Sequence, residues 1–312
     1  MHYINAPLAR RLLPRLAADS PRTGGLRAWL EAGSFYVEAA SNPPCIRLKN
    51  VGIAEIVPYI AFDYERFSLS SLESYLFCTE GGRNRAIAWP LLKLYYAAFF
   101  GAHSIMRATG CGLLRVDGSN ARIVQEIAKA YSVTVDVNAG TYEFRLVQLA
   151  DKSIDLELAR VEEKGGAHEA FWKVFYLFLT RLASEVANNN EVDAQQTIAE
   201  LAQVQALMGA RGLTAGTWLS YVRNQINYRH EHDVWFPYGC TAAAKSLIAR
   251  IPISDASKLR MDVDAGQKTV EAFTTCCASI AIISSELGKA VGQRSGTARF
   301  QRLTERLSQE AS

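Results

Sequence analysis

The residues best suited to chemistry lie in one segment, from Trp218 to His230. If this segment is helical, the seven-residue step from Arg223 to His230 turns through about 700°, so both side chains lie on nearly the same edge, roughly 10 Å apart along the axis. Asn227 lies between them. Arginine stays charged and offers a planar fork to phosphate oxygens, and histidine can carry a proton near neutral pH. The set indicates a cleft wall suited to phosphate chemistry.

A helix with this pattern must be positioned by its other face. An apolar stripe beside the polar edge is predicted to face the core; it consists of Trp218, Leu219, Val222 and Ile226. The aromatic segment from Val234 to Gly239 is predicted to end the helix, because Pro237 and Gly239 cannot continue it.

Two segments resemble the HEPN superfamily. Its signature is an arginine followed by a polar residue and, four to six residues further on, a histidine; here Arg223-Asn224 precedes His230 with six residues between arginine and histidine. Upstream, Leu94 to His103 reads LYYAAFFGAH and is similar to the first helix of many HEPN proteins. The resemblance covers roughly residues 85–290, and residues 1–80 lie outside it.

The resemblance implies a helical bundle, often a homodimer, that cleaves RNA without metal or cofactor at a site where the arginine and histidine of two protomers meet. It further implies a prokaryotic toxin or an effector of anti-viral defence, with an antitoxin or defence-system partner. One branch of toxins has four intervening residues and a tyrosine two places after the histidine. This chain has six, with His232 at that place, so regulation through a modified tyrosine is not expected.

The residue types fit metal-free cleavage of RNA to 2′,3′-cyclic phosphate ends. Arg223 would neutralise the charge of the transition state, and His230 would accept or give a proton. Asn224 and Asn227 would support them by binding phosphate or orienting the imidazole. This edge holds one histidine, whereas the reaction needs both an acid and a base, and a two-fold axis would bring a second copy of each group.

Four further residues are candidates for substrate contact. Arg229 points about 120° away from Arg223, which also suits a residue that flanks the core or faces solvent. His232 forms His-x-His with His230, but no cysteine pair or further histidine lies near in sequence, so a zinc site is not expected. Trp235 and Tyr238 are suited to stacking on bases, although aromatic side chains at such positions more often serve packing.

Two other functions stay open. The chain could be a catalytically silent HEPN module that binds a protein or nucleotide partner. It could also be a regulatory subunit whose first 80 residues dock a partner. An arginine and a histidine on a helix are also common as plain solvated side chains.

Composition indicates an ordinary globular protein: of 312 residues, 49% are hydrophobic and 21% charged, with a net charge of +3. That charge argues against a general binder of duplex DNA. The six cysteines have no C-x-x-C spacing and suit buried thiols of a cytoplasmic protein. No signal peptide and no membrane-spanning stretch is expected.

The predicted fold is mainly α, a HEPN-like helical bundle with a small α/β N-terminal part and an inserted β-hairpin. We expect a mixed element at residues 1–82, a bundle at 85–292 with an insertion at about 113–164, and a polar tail at 293–312. Glu80 to Arg85 is the expected linker. The tail arginines, Arg299, Arg302 and Arg306, suit solvent and, as a second option, RNA.

Local patterns predict the elements. Helices are expected over 90–109, 121–131, 169–186, 193–208 and 265–291, and extended structure over 34–39 and 46–59. A hairpin is expected from 133–137 and 142–147 around Asn138-Ala139-Gly140. His103 is expected to be a core histidine. Gly118-Ser119 resembles the start of a nucleotidyltransferase motif, but no Asp-x-Asp follows, so that enzyme is excluded.

Overall fold

The computed structural model describes residues 2–13, 16, 24–41, 44–49, 51–78, 86–148, 154–209, 216–242, 246, 269–295, 302 and 305–306. The predicted linker from Glu80 to Arg85 lies outside these residues, and so does most of the predicted polar tail. Within the described ranges the protein is mainly helical and contains a five-stranded antiparallel sheet. The mainly helical prediction is confirmed at this level.

The bounds of the elements, in chain order, are as follows. The first half contains α1 (His2–Arg10), α2 (Leu26–Ala32), β1 (Tyr36–Ser41), β2 (Pro44–Lys49), α3 (Ile53–Leu76), α4 (Ala88–Ala108), β3 (Cys111–Val116), α5 (Gly118–Ala130) and β4 (Gly140–Gln148). The second half contains β5 (Ile154–Arg160), α6 (Ala167–Asn188), α7 (Ala194–Met208), α8 (Trp218–Arg229), a 3-10 turn (Tyr238–Cys240) and α9 (Thr269–Ser295).

Helix α4 lies at the centre of the molecule. It packs against α3 and α9 along much of its length and also touches α6, α8 and β3. Most of its side chains are therefore buried, with Leu92, Tyr95 and Met106 among the inward residues that the helical period predicted. The long helices predicted at 90–109, 169–186 and 193–208 are confirmed as α4, α6 and α7.

The segment from Ile46 to Tyr59 was predicted as extended, and for most of its length this is wrong. Strand β2 ends at Lys49, and α3 begins at Ile53 and contains Pro58. The apolar residues Ile56, Val57 and Ile60 are buried. Ile60 follows Val57 by three positions and Ile56 by four, so the three side chains share one face of a helix. The β-branched composition of the segment had suggested a strand, but its period decides the structure.

The sheet joins strands that are far apart in sequence. Its order is β1-β2-β5-β4-β3, and every neighbouring pair is antiparallel. Strand β2 pairs with β5 through Ile46 opposite Leu158. The N-terminal strands and the strands of the predicted insertion therefore form one sheet, whose inward residues include Leu48, Phe144 and Leu156.

The predicted inserted hairpin is wrong in its first strand. Residues 142–147 lie in β4 as expected, but residues 133–137 form neither strand nor helix. Both edges of β4 are already occupied, by β3 and β5, so no edge is left for 133–137. That segment instead packs beside α5, where the Gln125 side chain donates to the carbonyl of Val137 at 2.6 Å.

Helix α9 is the one described helix that is long and apolar enough to cross a membrane, over Thr269–Gln293. The expectation that the chain has no such stretch is therefore wrong by length and composition. Of the most apolar window, 72% is buried inside the protein, and α9 packs against α3 and α4. This burial is typical of a core helix, which passes the same test of length and composition.

Candidate functional site

Helix α8 carries the predicted site, and its apolar stripe packs inward as expected. Trp218, Leu219, Val222 and Ile226 are all buried. The helix contacts α4, α6 and α9 through this stripe. The opposite edge, which contains Arg223, is thereby held at the border between core and solvent.

The Arg223 side chain is half-buried and held by neutral oxygen acceptors. Its Nη2 donates to the hydroxyl of Tyr96 on α4 at 2.6 Å. Its Nη1 donates to Asn224 Oδ1 at 2.8 Å and, at 3.4 Å, to the hydroxyl of Tyr228. The guanidinium also lies over the rings of Tyr96 and Tyr228, at 5.7 and 5.3 Å from their centroids.

The charge of Arg223 is left without a counter-charge. Among the residues that the structure describes, no aspartate or glutamate pairs with it, and its buried Nε has no hydrogen-bond partner. Burial is the largest single influence and acts to lower the pKa of Arg223, but the interactions with Tyr96 and Tyr228 together outweigh it, and the pKa is raised. A fixed, permanently charged fork that lacks an anion is suited to bind one.

His230 does not lie on the helix edge that the sequence analysis assumed. Helix α8 ends at Arg229, one residue earlier, and His230 has a left-handed conformation with φ of 55°. The helix therefore ends before the aromatic segment at 234–239, which was predicted to stop it. The left-handed residue ends the helical path, and the amide of Glu231 returns to the carbonyl of Gln225 at 3.1 Å.

The imidazole of His230 is exposed and lies against an indole. Its ring centroid is 4.9 Å from that of Trp235, with the planes tilted by 32°. Within the described part of the chain, no hydrogen bond or ring contact joins His230 to Arg223. The two predicted catalytic groups thus belong to the same end of α8 but do not touch in one subunit.

The other predicted residues have separate surroundings. Asn224 is exposed and holds Arg223, as a supporting residue would, and Asn227 is half-buried. Arg229 is exposed, with Glu231 at 3.9 Å. His232 Nε2 lies 3.1 Å from Gln225 Oε1, so this ring is engaged with α8. Clusters of three or more metal-ligating side chains are absent from the described ranges.

The two aromatic candidates differ in exposure. Trp235 is half-buried, and its indole nitrogen donates to the carbonyl of Ile226 at 2.7 Å, so it packs against the end of α8. Tyr238 is 64% exposed. Trp235 also contacts Trp89 edge to face, at 5.6 Å between centroids. The contacts of Trp235 are those of a packing residue, whereas the exposed ring of Tyr238 is accessible to a partner or substrate.

A hydrogen-bonded chain beside Arg223 was missed in the sequence analysis. Trp172 Nε1 donates to the hydroxyl of Tyr95 at 3.0 Å, and this oxygen lies 2.9 Å from Nδ1 of His168 on α6. Tyr96 lies between this chain and Arg223. Its ring centroid is 6.0 Å from that of His168, and its hydroxyl accepts a hydrogen bond from Arg223. The signal was the Gly165-Gly166 pair, which places the next histidine in the first turn of α6.

His168 is a neutral imidazole at physiological pH. Burial, and after it the charge of Arg223, lower its pKa from 6.5 to about 4. The indole of Trp172 can only donate, so the Tyr95 hydroxyl that receives it is free to donate onward to Nδ1. In this arrangement the ring carries its proton on Nε2, and Nδ1 can accept a second proton only when the Tyr95 hydroxyl turns away from it.

Comparisons with known proteins supply no match: no family model, curated protein or solved structure is similar to this chain.

Proposed function

We propose that this protein is a metal-independent endoribonuclease of HEPN type that cleaves single-stranded or loop RNA. The observation that carries the proposal is the state of Arg223: half-buried, fixed by Tyr96, Tyr228 and Asn224, and without a carboxylate partner among the described residues. A guanidinium held in this way can bind the scissile phosphate and its transition state at little cost in reorganisation.

Proton transfer is the second requirement of the reaction. His230 is exposed at the end of α8, the helix that also carries Arg223, and in this proposal it meets a substrate bound there. His168, neutral and beside the same Tyr96, is a second imidazole in the same subunit, and its Nδ1 would accept a proton once the Tyr95 hydroxyl turns away. In this proposal RNA would lose its 2′ proton to one imidazole, and the 5′ oxygen would receive a proton from another.

The surface around α8 supports the proposed dimer. Trp89, Tyr228, Phe236 and Tyr238 are between 60% and 79% exposed. Rings of this kind near one helix end are suited to an interface, where aromatic residues are enriched. A toxin or defence effector in the cytoplasm, restrained by a partner protein, is the setting that the resemblance implies.

A catalytically silent HEPN module is the second candidate, and one observation favours it. His230 lies outside α8 and makes no contact with Arg223, so the arrangement that the motif requires is incomplete in one subunit. In that case Arg223 would still bind an anion, such as a phosphate of a nucleotide or of RNA, and no bond would be cut.

The deciding experiment incubates purified protein with unstructured RNA in excess EDTA. We expect products with 2′,3′-cyclic phosphate ends. Arg223→Ala should lower the rate about 100-fold to 1,000-fold, as loss of a transition-state donor does, and His230→Ala by a comparable factor. Arg122→Ala removes an exposed arginine from α5 and serves as the matched control with an unchanged rate.

The positioning role of Tyr96 gives a sharper test in the same assay. Tyr96→Phe keeps the ring but removes the hydroxyl that binds Arg223. We expect a smaller loss than for Arg223→Ala, with RNA binding weakened less than turnover. Cleavage that requires a divalent metal, or that survives both Arg223→Ala and His230→Ala, would contradict the proposal. Binding without cleavage would support the silent module.

A further inference from the structure

A cavity of about 740 Å³ lies along the C-terminal half of α4, on the helix face that also carries Tyr96. Its walls come from α3, α4, the β3–β4 edge of the sheet and the start of α6. Aromatic rings form much of the wall, and charged side chains lie among them; the lining includes Asp63, Arg66, Phe100, His103, Arg107 and Arg115. The volume is in the range of pockets that hold small organic molecules.

Arg107 is a buried cation at this cavity, only 4% exposed. Its Nη2 donates to the carbonyl of Leu113 at 2.8 Å and its Nη1 donates to Nδ1 of His103 at 3.0 Å. Among the residues that the structure describes, its Nε has no hydrogen-bond partner, and the nearest carboxylate oxygen, on Asp63, is 4.0 Å away. Burial lowers the pKa of Arg107 to about 10 because Asp63 compensates it only in part.

His103 presents a second donor. The guanidinium of Arg107 can only donate, so Nδ1 of His103 must accept and the ring proton is on Nε2. The ring is fixed by stacking on Phe67 and Phe171, at 4.5 and 3.7 Å between centroids. Among the described residues Nε2–H has no acceptor, and His103 lines the cavity. The predicted core histidine is therefore buried, but its hydrogen bonding is incomplete.

The charges around the cavity do not cancel. Arg115 pairs with Glu163 and Arg27 pairs with Asp117. The remaining carboxylate, Asp63, has one negative charge, and it faces the two positive charges of Arg107 and Arg66. Arg66 is exposed and has no carboxylate partner in the described ranges; it lies over the ring of Phe62 at 5.5 Å. Four guanidiniums line the cavity, and they are balanced by two lining carboxylates and by Asp117 outside the lining, so a surplus of one positive charge remains.

We propose that this cavity binds a small organic monoanion, a carboxylate with an aromatic or branched apolar body. The carboxylate would take the donors of Arg66, Arg107 and His103, and the apolar body would lie against Phe100 and its neighbouring rings. One negative charge balances the surplus, and the apolar wall favours an organic body over a hydrated inorganic ion. Arg223 does not line this cavity, although Phe100 contacts the Tyr96 ring that holds Arg223, and the proposal does not depend on the proposed cleavage of RNA.

The test is calorimetric titration of the full chain with benzoate, phenylacetate and 4-methylpentanoate. We expect at least one to bind with a measurable heat. Its neutral amide should bind at least tenfold more weakly, because the buried donors would then lack an anion. Inorganic phosphate should also bind at least tenfold more weakly, because it has no apolar body.

Variants decide whether the heat comes from this cavity. Arg66→Ala removes an exposed side chain, so the fold should persist, and the affinity should fall at least tenfold. Arg122→Ala, outside the cavity, and Arg223→Ala, in the proposed nuclease site, should bind as the parent does. Failure of all three carboxylates to bind, or binding that Arg66→Ala leaves unchanged, would overturn the proposal. Loss of RNA cleavage in Arg223→Ala alone would leave it standing.

Discussion

At the scale of single residues, the protein keeps two imidazoles neutral inside the helical layer. His103 is enclosed by Phe67 and Phe171, and His168 is joined to Tyr95. Burial is the first cause of the lowered pKa at both, followed by a neighbouring arginine, which is Arg107 for His103 and Arg223 for His168. Each ring therefore packs as an uncharged group and contributes to the stability of the fold.

This arrangement predicts a fold that weakens in mild acid. Unfolded histidine takes up a proton near pH 6.5, whereas folded His168 does so only near pH 4. Between these values the unfolded chain binds more protons, so the free energy of unfolding falls as the pH falls. After allowance for partial exposure, we expect His168 to contribute about 1–2 kcal/mol to the loss, with His103 adding to it.

Urea unfolding at pH 7.0 and pH 4.5 measures the effect. His168→Gln, whose amide can still accept from Tyr95, should lose less stability on acidification than the parent does. His230→Gln, which removes an exposed ring, is the matched control and should follow the parent. Equal losses in His168→Gln and in the parent would show that the His168 ring is not held neutral.

At the scale of elements, the end of α8 decides where the predicted catalytic histidine lies. His230 has φ of 55°, a left-handed conformation that costs roughly 1 kcal/mol for residues with a Cβ and is free for glycine. We therefore expect His230→Gly to be as stable as the parent or more so, and His230→Ala to be less stable than His230→Gly by about 0.5–1 kcal/mol. Urea unfolding of the three proteins measures the differences.

The same pair of variants separates folding from function. Both lack the imidazole, so both should lose RNA cleavage while only their stabilities differ. Equal stability of the alanine and glycine variants would contradict the left-handed end of α8. Cleavage retained in both would instead remove His230 from the proposed mechanism.

Sequence patterns predicted several helices and were poor for the sheet. Helices α4, α6 and α7 form where their local periods placed them and the apolar stripe of α8 is buried, whereas α3 begins inside a segment that was predicted as extended. The pairing of β2 with β5 joins residues more than 100 positions apart, which no local pattern encodes. The segment at 133–137 has strand composition, yet β4 has no free edge to receive it.

The candidate site was predicted in the same partial way. Arg223 and Asn224 lie inside the predicted helix, and their side chains hydrogen-bond to each other. The position of His230 depends on where that helix ends. The end of the helix was predicted at the segment 234–239, several residues after its observed end at Arg229. The chain of Trp172, Tyr95 and His168 requires the packing of α6 on α4, so spacing in the sequence could not reveal it.

At the scale of the whole molecule, the open question is where the second imidazole of the proposed reaction comes from. His168 offers one within the subunit, since it contacts the same Tyr96 that binds Arg223. A symmetric dimer offers the other, since His230 is exposed beside the aromatic surface of Trp89 and Tyr238. Because Arg223 and His230 make no contact within the described subunit, a composite site requires that each arginine acts with the histidine of the second copy.

Mixed dimers distinguish the two sources. Two differently tagged chains, one with Arg223→Ala and the other with His230→Ala, are coexpressed and the doubly tagged species is purified. If the site is composite, one seam keeps an intact arginine and an intact histidine on different subunits. We then expect cleavage roughly tenfold or more above either variant alone, since loss of either group costs far more than that. If the site lies within one subunit, each chain lacks a necessary group, and the mixed dimer is as inactive as either variant alone. Full activity of the parent protein as a monomer would directly exclude a site shared between two subunits.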